Sequence, residues 1–391
     1  MASEKLTRSD ALKFPRRLFM RDMATAATVT CLSPSLLAGC QAAPPYTSST
    51  DTDTMEQALD MMARLAPLTN HGPMAAEALV ALGRADSVVA FTESYKKRFT
   101  STYPEARNTV TRENWREALG DGDRVADWTA FFNRELKEAA WPKVLDQWSA
   151  HLAPGLAAAA AHGLIRTGHA VRSLSVKETE LRRRELAEGL SYWAAYYQPL
   201  PEAKNAGKER LNPAQAFNRI PLLPADKRPR GGSIMIGLRN LDEFSPFAQV
   251  ADLVEASGSA DKFLSQVTEV FATAYVKNVN QRNFIALIHA VTGTTSLRSL
   301  LPYLSPTTTQ KMLRYGWQTA AALYSVFGIG STGSVTESKE IKRDYLIERA
   351  VASREEHSIK FTEACLREYA LNPKPVYLEA ARDAVERINP V

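Results

Sequence analysis

Phe284-Ile285-Ala286-Leu287-Ile288-His289-Ala290-Val291-Thr292-Gly293 opens a stretch that runs on to Leu301, and its period decides the fold class. Phe284, Leu287, Ile288 and Val291 recur at three and four, which puts them on one side of a helix. The same period predicts helices over 55–68, 74–82, 87–99, 125–141, 155–174, 178–197, 262–276, 310–327, 341–369 and 376–388. Trp141-Pro142 ends one of these patterns, because proline lacks the amide donor and clashes one turn back. Strand-like alternation is nearly absent, and no repeat of fixed period is visible. The segment 198–233 differs, being rich in Pro, Lys, Arg and Gly with little period. A structureless run of that length reads as an insertion or a lid loop. The expected architecture is all-α: a large single-domain helical bundle over 54–391 with that one long insertion loop, behind a leader and linker at 1–53.

The chain has 391 residues, 45% of them apolar and 23% charged. Those are globular proportions, and they exclude a disordered, collagenous or disulfide-scaffold chain. A net charge of +5, diluted over this length, is a weak reason to expect nucleic acid as a partner. No run of roughly 18 uninterrupted apolar residues occurs, so none reads as a membrane span.

Residues 13–21 form a basic run containing Arg16-Arg17, followed by a mildly apolar stretch that closes on Leu37-Ala38-Gly39-Cys40. Paired arginines before such a stretch resemble a bacterial twin-arginine export signal. The ending resembles a lipoprotein processing site, at which Cys40 is acylated. The alternative is an ordinary basic tail. Export implies the bacterial periplasm or cell envelope, with a membrane tether through a lipidated Cys40; a leader that does not act leaves the chain cytoplasmic. Cys31 and Cys40 fall in the leader, so Cys365 stands alone in the rest, with no internal disulfide expected. It reads as inert core. Twin-arginine export carries folded proteins, often with their cofactor loaded, which directs attention to metal ligands.

Gly328-Ile329-Gly330-Ser331-Thr332-Gly333 matches G-x-G-x-x-G, but the fingerprint requires a strand before it and a βαβ unit around it. The preceding residues read as helix, so a helix–helix connection is the better reading. Ser94–Lys97 and Ser259–Lys262 match S-x-x-K without the companion motifs of that hydrolase class. No G-x-S-x-G or H-E-x-x-H occurs. No Glu lies three residues before a histidine, which disfavours a ferritin-like di-metal site.

The histidines carry more. His71 lies in Asn70-His71-Gly72-Pro73, with Pro73 suited to a helix start. The positive end of that helix disfavours imidazolium and keeps the ring neutral, as a ligand must be. His162 and His169 are seven apart on one helix face, roughly 10.5 Å along the axis. His289 sits on an apolar helix, and His357 and Lys360 lie one turn apart facing the same way. Any one of these alone reads as a satisfied core histidine. Five of six on apolar or glycine-flanked helical positions is a different matter, because buried imidazoles are costly unless something binds them. His151, at a helix end, reads as capping and surface.

These residues resemble the questin oxidase-like family. The likeness is carried by Asn70–Leu79, His162–His169, Leu287–Thr292 and Glu356–Lys360, in order, over nearly the whole chain after the leader. It implies an all-helical oxidoreductase acting on polycyclic aromatic compounds such as anthraquinones or hydroquinones, by Baeyer–Villiger-type or ring-opening oxygen insertion. It further implies O2 as co-substrate and mononuclear non-haem iron, held by His71, His162, His289 and His357 together with Lys360 as a carboxylated lysine. The CO2-derived carbamate on Lys360 needs the neutral amine, which burial favours. One departure stands out: where fungal members are expected to carry a second histidine one turn after His162, this chain has Arg166. His169, two turns on, is expected behind the ligands or against the substrate. Arg166 is expected to orient a phenolate or quinone oxygen, or to be an ordinary ion-paired arginine.

Two other readings stay open. One is an exported, non-catalytic lipoprotein that binds hydrophobic aromatics between Tyr192, Trp193, Tyr196 and Tyr197. The other is a Baeyer–Villiger oxidase assisted by NADPH or flavin, which would use Gly328–Gly333.

Overall fold

The computed structural model describes residues 49–331 and 341–388, apart from 64, 67–69, 100, 103–104, 206, 208, 230 and 257. The basic run of the leader, Cys31 and Cys40 lie outside these residues, as does 332–340. The helices run in chain order as α1 (Ser49–Met61), α2 (Gly72–Ala81), α3 (Val88–Lys96), α4 (Val125–Glu138), α5 (Trp141–Leu152), α6 (Ala158–Val176) and α7 (Glu180–Ala195). There follow α8 (Pro213–Phe217), α9 (Ile234–Leu238), α10 (Ala260–Asn278), α11 (Phe284–Leu300), α12 (Pro306–Phe327), α13 (Arg343–Ser353), α14 (Glu356–Leu371) and α15 (Pro375–Ile388). Among the described residues extended pairing is slight: Leu65–Ala66 lies antiparallel to Ser101–Thr102. The all-α expectation holds.

Helix starts follow their local chemistry. Thr179, Ser259 and Ser305 each accept the backbone N–H three residues on, satisfying a donor the first turn leaves open. Prolines stand in the first turn of α2, α5 and α12. Ser259 thus serves as a cap, which accounts for one of the S-x-x-K matches.

Four helices form a closed ring: α2 packs on α6 and α14, and α11 packs on the same two. Around the ring, α7 backs α6 and α12 backs α11. Small residues set the approach of α6 to α7. A Cβ on Gly163 would lie 2.5 Å from Trp193 Cα, and one on Gly189 would lie 3.0 Å from Thr167. Helix α11 with its following turn, Phe284–Tyr303, is long and apolar enough to pass as a membrane span, yet most of it is buried in the bundle. It is a core helix of the bundle.

Three helical expectations are corrected. The first helix ends at Met61 rather than 68, where the chain turns into the short extended pair. Ala159, Ala160 and Ala161 adopt φ of 48°, 61° and 66°, a left-handed turn inside the expected 155–174 helix. The expected 341–369 helix is two, because Arg354 takes φ 50° and Glu355 caps a new start. Neither break carries a Gly or Pro, the residues whose sterics would announce it.

The insertion is strapped down. Gln318 Nε2 donates to Pro201 O at 3.0 Å, and Leu223 N donates to Ser325 O at 2.8 Å. Leu200, Ala216, Ile220 and Leu223 are buried along it. A segment with that many apolar anchors is part of the core's wall rather than a free lid.

Candidate metal centre

Helices α6, α11 and α14 and the N-cap of α2 each bring one histidine to the cluster. His71 stands at the N-terminal edge of α2, its backbone N–H donating to Tyr95 Oη at 2.7 Å. Asn70 locks the same turn, accepting from Gly72 N at 3.2 Å and donating to Met62 O at 3.1 Å. Glycine at 72 leaves room for its neighbours: a Cβ there would fall 2.1 Å from Met62 Sδ and 2.9 Å from the Tyr95 ring, and those side chains would have to move. His162 follows the left-handed alanine turn, which brings the Ala159 carbonyl onto its Nδ1. His289 lies mid-helix in α11 with Nδ1 2.7 Å from Ile285 O. His357, in the first turn of α14, has Nδ1 2.7 Å from Glu355 Oε1.

The rings converge. Centroids are 4.6 Å apart for His71–His162, 4.7 Å for His71–His357, 4.4 Å for His162–His289 and 5.5 Å for His289–His357. One ligand atom from each of His71, His162 and His357 lies within 4.8 Å of the others. Lys360 Nζ is 3.1 Å from His71 Nδ1, and Lys360 is 3% exposed. It is not a surface lysine bridging its own helix. Glu356 is taken by Arg98, and Glu363 by Arg172 and Arg367.

Proton bookkeeping identifies what the cluster lacks. A carbonyl or carboxylate oxygen only accepts, so Nδ1 of His162, His289 and His357 carries a proton, and in the neutral rings of His162 and His289 the lone pair is left on Nε2. Yet His162 Nε2 and His289 Nε2 stand 3.0 Å apart. Two lone pairs facing each other in a buried site repel, and a metal ion bound by both nitrogens would relieve that repulsion. A proton is disfavoured: burial first, then the neighbouring Lys360 and imidazoles, holds His71 and His162 well below the ordinary histidine value. Burial, then His162 and His357, does the same to His289. Nitrogens 3.0 Å apart are spaced as two ligands of one ion at about 2.1 Å each. Burial also pushes the Lys360 amine down to about 8, against the opposing charges of Glu356 and Glu355. That makes the neutral amine accessible. The residues fit a metal ion.

Further along the same helices lies a layer of ion pairs. Glu77 of α2 is fully buried and meets His169 Nδ1 at 2.6 Å and Arg172 Nε at 2.6 Å. Arg172 Nη1 donates to Glu363 Oε1 at 2.5 Å, and Arg367 Nε to the same oxygen at 3.0 Å. Burial alone would raise the Glu363 carboxyl, but Arg172 and Arg367 bring it down to about 2. His169 therefore belongs to this layer, two turns from His162. Arg166 is turned to α7, where Nε and Nη2 meet Glu185 at 2.6 and 2.8 Å and Nη2 also meets Glu188. His151 is exposed at the end of α5, against Trp115 and Trp148.

Sequence reasoning missed Glu355, Glu77 and Glu363, the carboxylates that hold His357, His169 and Arg172. The Glu355-x-His357 spacing was the available signal for the first. The i,i+4 spacing of Glu363 and Arg367 was a local signal, but nothing local announced Glu77 or the reach of Glu363 to Arg172, which cross between helices. Tyr192 and Trp193 are fully buried and their neighbours pack tightly: a Cβ on Gly155 would meet Tyr197 at 2.1 Å, and one on Gly122 would meet Tyr196 at 2.8 Å. These aromatics fill core rather than line a cavity. Gly328 and Gly330 follow a helix, and Ile329 N and Ser331 N both donate to Asn278 Oδ1; the remainder of that motif lies outside the described residues. Surface hollows of about 370 Å³ beside Arg210 and Lys262 and about 510 Å³ beside Arg107 and Asp123 include none of the five cluster residues.

A family model described as questin oxidase-like matches residues 68–365, a span that contains all five. A comparison with curated proteins finds no match.

Proposed function

From the premise that this chain belongs to the questin oxidase-like family, we propose that the imidazole cluster is the seat of an oxidoreductase acting on an aromatic small molecule. More finely, we read it as a mononuclear non-haem iron oxygenase or oxidase of polycyclic aromatics of the anthraquinone or hydroquinone kind, using O2. The observation that carries this reading is the pair of facing Nε2 lone pairs, 3.0 Å apart, with both Nδ1 atoms committed to carbonyl oxygens.

His71, His162, His289 and His357 would hold the ion, with the carboxylated Lys360 as its anionic oxygen donor. Imidazoles accept iron, zinc, copper or nickel alike; iron supplies the redox chemistry that oxygen insertion requires. Lys360, neutral for part of the time because of burial, has the nucleophilic nitrogen that CO2 needs. The carbonyls of Ala159 and Ile285 keep two rings in the tautomer that presents Nε2. Arg166 and His169, engaged by Glu185, Glu188 and Glu77, hold α6 in register so that His162 stays on the cluster. Two electrons for oxygen come from an electron-rich hydroquinone or from an outside reductant.

Metal analysis of the chain purified without chelator tests the reading. Iron near one equivalent is expected, and a chain free of transition metal overturns it. Oxygen uptake on mixing with a reduced hydroxyanthraquinone separates an oxidase from a carrier, which would consume none. We further propose that the leader, if it acts, carries the same protein to the bacterial envelope with Cys40 as its lipid tether.

A further inference from the structure

Among the four cluster histidines, His357 has a carboxylate on its far nitrogen, Glu355 Oε1 at 2.7 Å. His162 and His289 donate to neutral carbonyls, and His71 Nδ1 faces Lys360. Glu355 reaches His357 because α13 and α14 are not one helix. The left-handed Arg354 turns the chain, and Glu355 then sits outside the first turn of α14 with both oxygens occupied. Oε1 accepts from His357 Nδ1 at 2.7 Å, and Oε2 accepts from Ser358 N at 2.8 Å. The carboxylate thus does two separable things: it caps a helix and it polarises an imidazole.

We propose that Glu355 is the positioning residue of the metal centre, fixing the tautomer and rotation of His357 so that its Nε2 is presented to the ion and His357 anchors it. The inference rests on the metal reading above, and its chemistry is general. A carboxylate hydrogen-bonded to the far nitrogen fixes the tautomer, fixes the ring's rotation and raises the donor strength of the other nitrogen. In a shell of otherwise neutral imidazoles the carboxylate also places negative charge close to the cation. Arg354 and the helix break are then the backbone device that delivers that charge.

The two roles of Glu355 separate by substitution. Serine is a preferred helix cap, so Glu355→Ser keeps an acceptor for Ser358 N while removing the carboxylate from His357. The full chain, stripped of metal with a chelator, is titrated with Co(II) and followed by its visible absorption bands. Glu355→Ser is expected to bind Co(II) roughly 10–100-fold more weakly than the parent, with shifted bands and a melting temperature of the metal-free form close to the parent's. Glu355→Asp, which keeps the charge, is expected to recover part of the affinity. Parental affinity and bands in Glu355→Ser overturn the proposal while leaving the metal reading intact. A parent chain that takes up neither Co(II) nor Fe(II) overturns both. If Glu355→Ser melts well below the parent and its affinity falls no more than that of a capping variant at Ser305→Ala, the role of Glu355 is structural and the proposal fails.

Discussion

At the scale of single residues, Lys360 is where a metal ligand and an ordinary lysine differ most. Its nitrogen is buried against His71 rather than paired with Glu356 or Glu363. As a carbamate it would be the one anionic donor in a neutral shell, and its loss would leave a bound cation uncompensated in a low-dielectric bundle. Lys360→Ala is expected to lose most bound metal, and Lys360→Arg to lose it as well, because a guanidinium forms no carbamate. Metal content by mass spectrometry decides, and added short carboxylic acids are expected to restore part of it in the alanine variant. Full metal and turnover in Lys360→Arg would show the site to be histidine-only. Ala160 offers a test of a different kind. Its φ of 61° costs an L-residue roughly 1–2 kcal/mol that glycine escapes, less what glycine adds in chain entropy. Ala160→Gly is expected to raise stability by about 0.5 kcal/mol in urea unfolding, and a loss of stability would show that the left-handed turn is not adopted.

Among elements, the ion-pair layer joins α2, α6 and α14 behind their histidines. Glu363 is its hub, shared by Arg172 and Arg367. Without Glu363, Arg172 keeps Glu77 and Arg367 keeps the Thr295 carbonyl, so what is lost is charge-assisted hydrogen bonding of about 1.5–3 kcal/mol. Glu363→Gln is therefore expected to be that much less stable at pH 7. The pH dependence follows from the carboxyl lying at about 2, below its ordinary 4.5. A depressed carboxyl contributes its stability above 4.5 and loses it as pH falls toward 2. The gap between parent and variant should narrow across that window, and a gap constant from pH 7 to pH 3 would mean that Glu363 is not the ionised hub.

For the whole molecule, the ring α2–α6–α11–α14 explains why histidines spread from position 71 to 357 meet at one point. Each ring helix is also held from outside, α6 by α7, α11 by α12, α14 by α15 and α2 by α3, so three of the imidazoles ride on packed helices and His71 on the cap of a fourth. The leader concerns the molecule's place in the cell. Cys40→Ala is expected to move the protein from the membrane fraction to the soluble periplasmic fraction of a bacterial host. An unchanged distribution would remove the lipid tether.

What the sequence determined by itself was local. The helical period, the end of α4 before Trp141-Pro142, the tight Asn70–Pro73 turn and the one-turn spacing of His357 and Lys360 all follow from interactions within a few residues. The histidines on apolar faces were legible too, because burial of a polar ring contradicts its surroundings wherever the chain goes. The likeness of four short segments to one family carried the ligand set, which spacing alone left open between a satisfied core and a metal site. Tertiary structure decided the rest. The left-handed turns at Ala159–Ala161 and Arg354 sit in sequence that favours helix, and only packing against neighbouring helices offsets their strain. The partners of Arg166 and His169 are 19 and 92 residues away, beyond any local signal. Which nitrogen of each imidazole carries its proton was decided there as well, since the tautomer depends on the carbonyl or carboxylate that the fold brings to the far side of the ring.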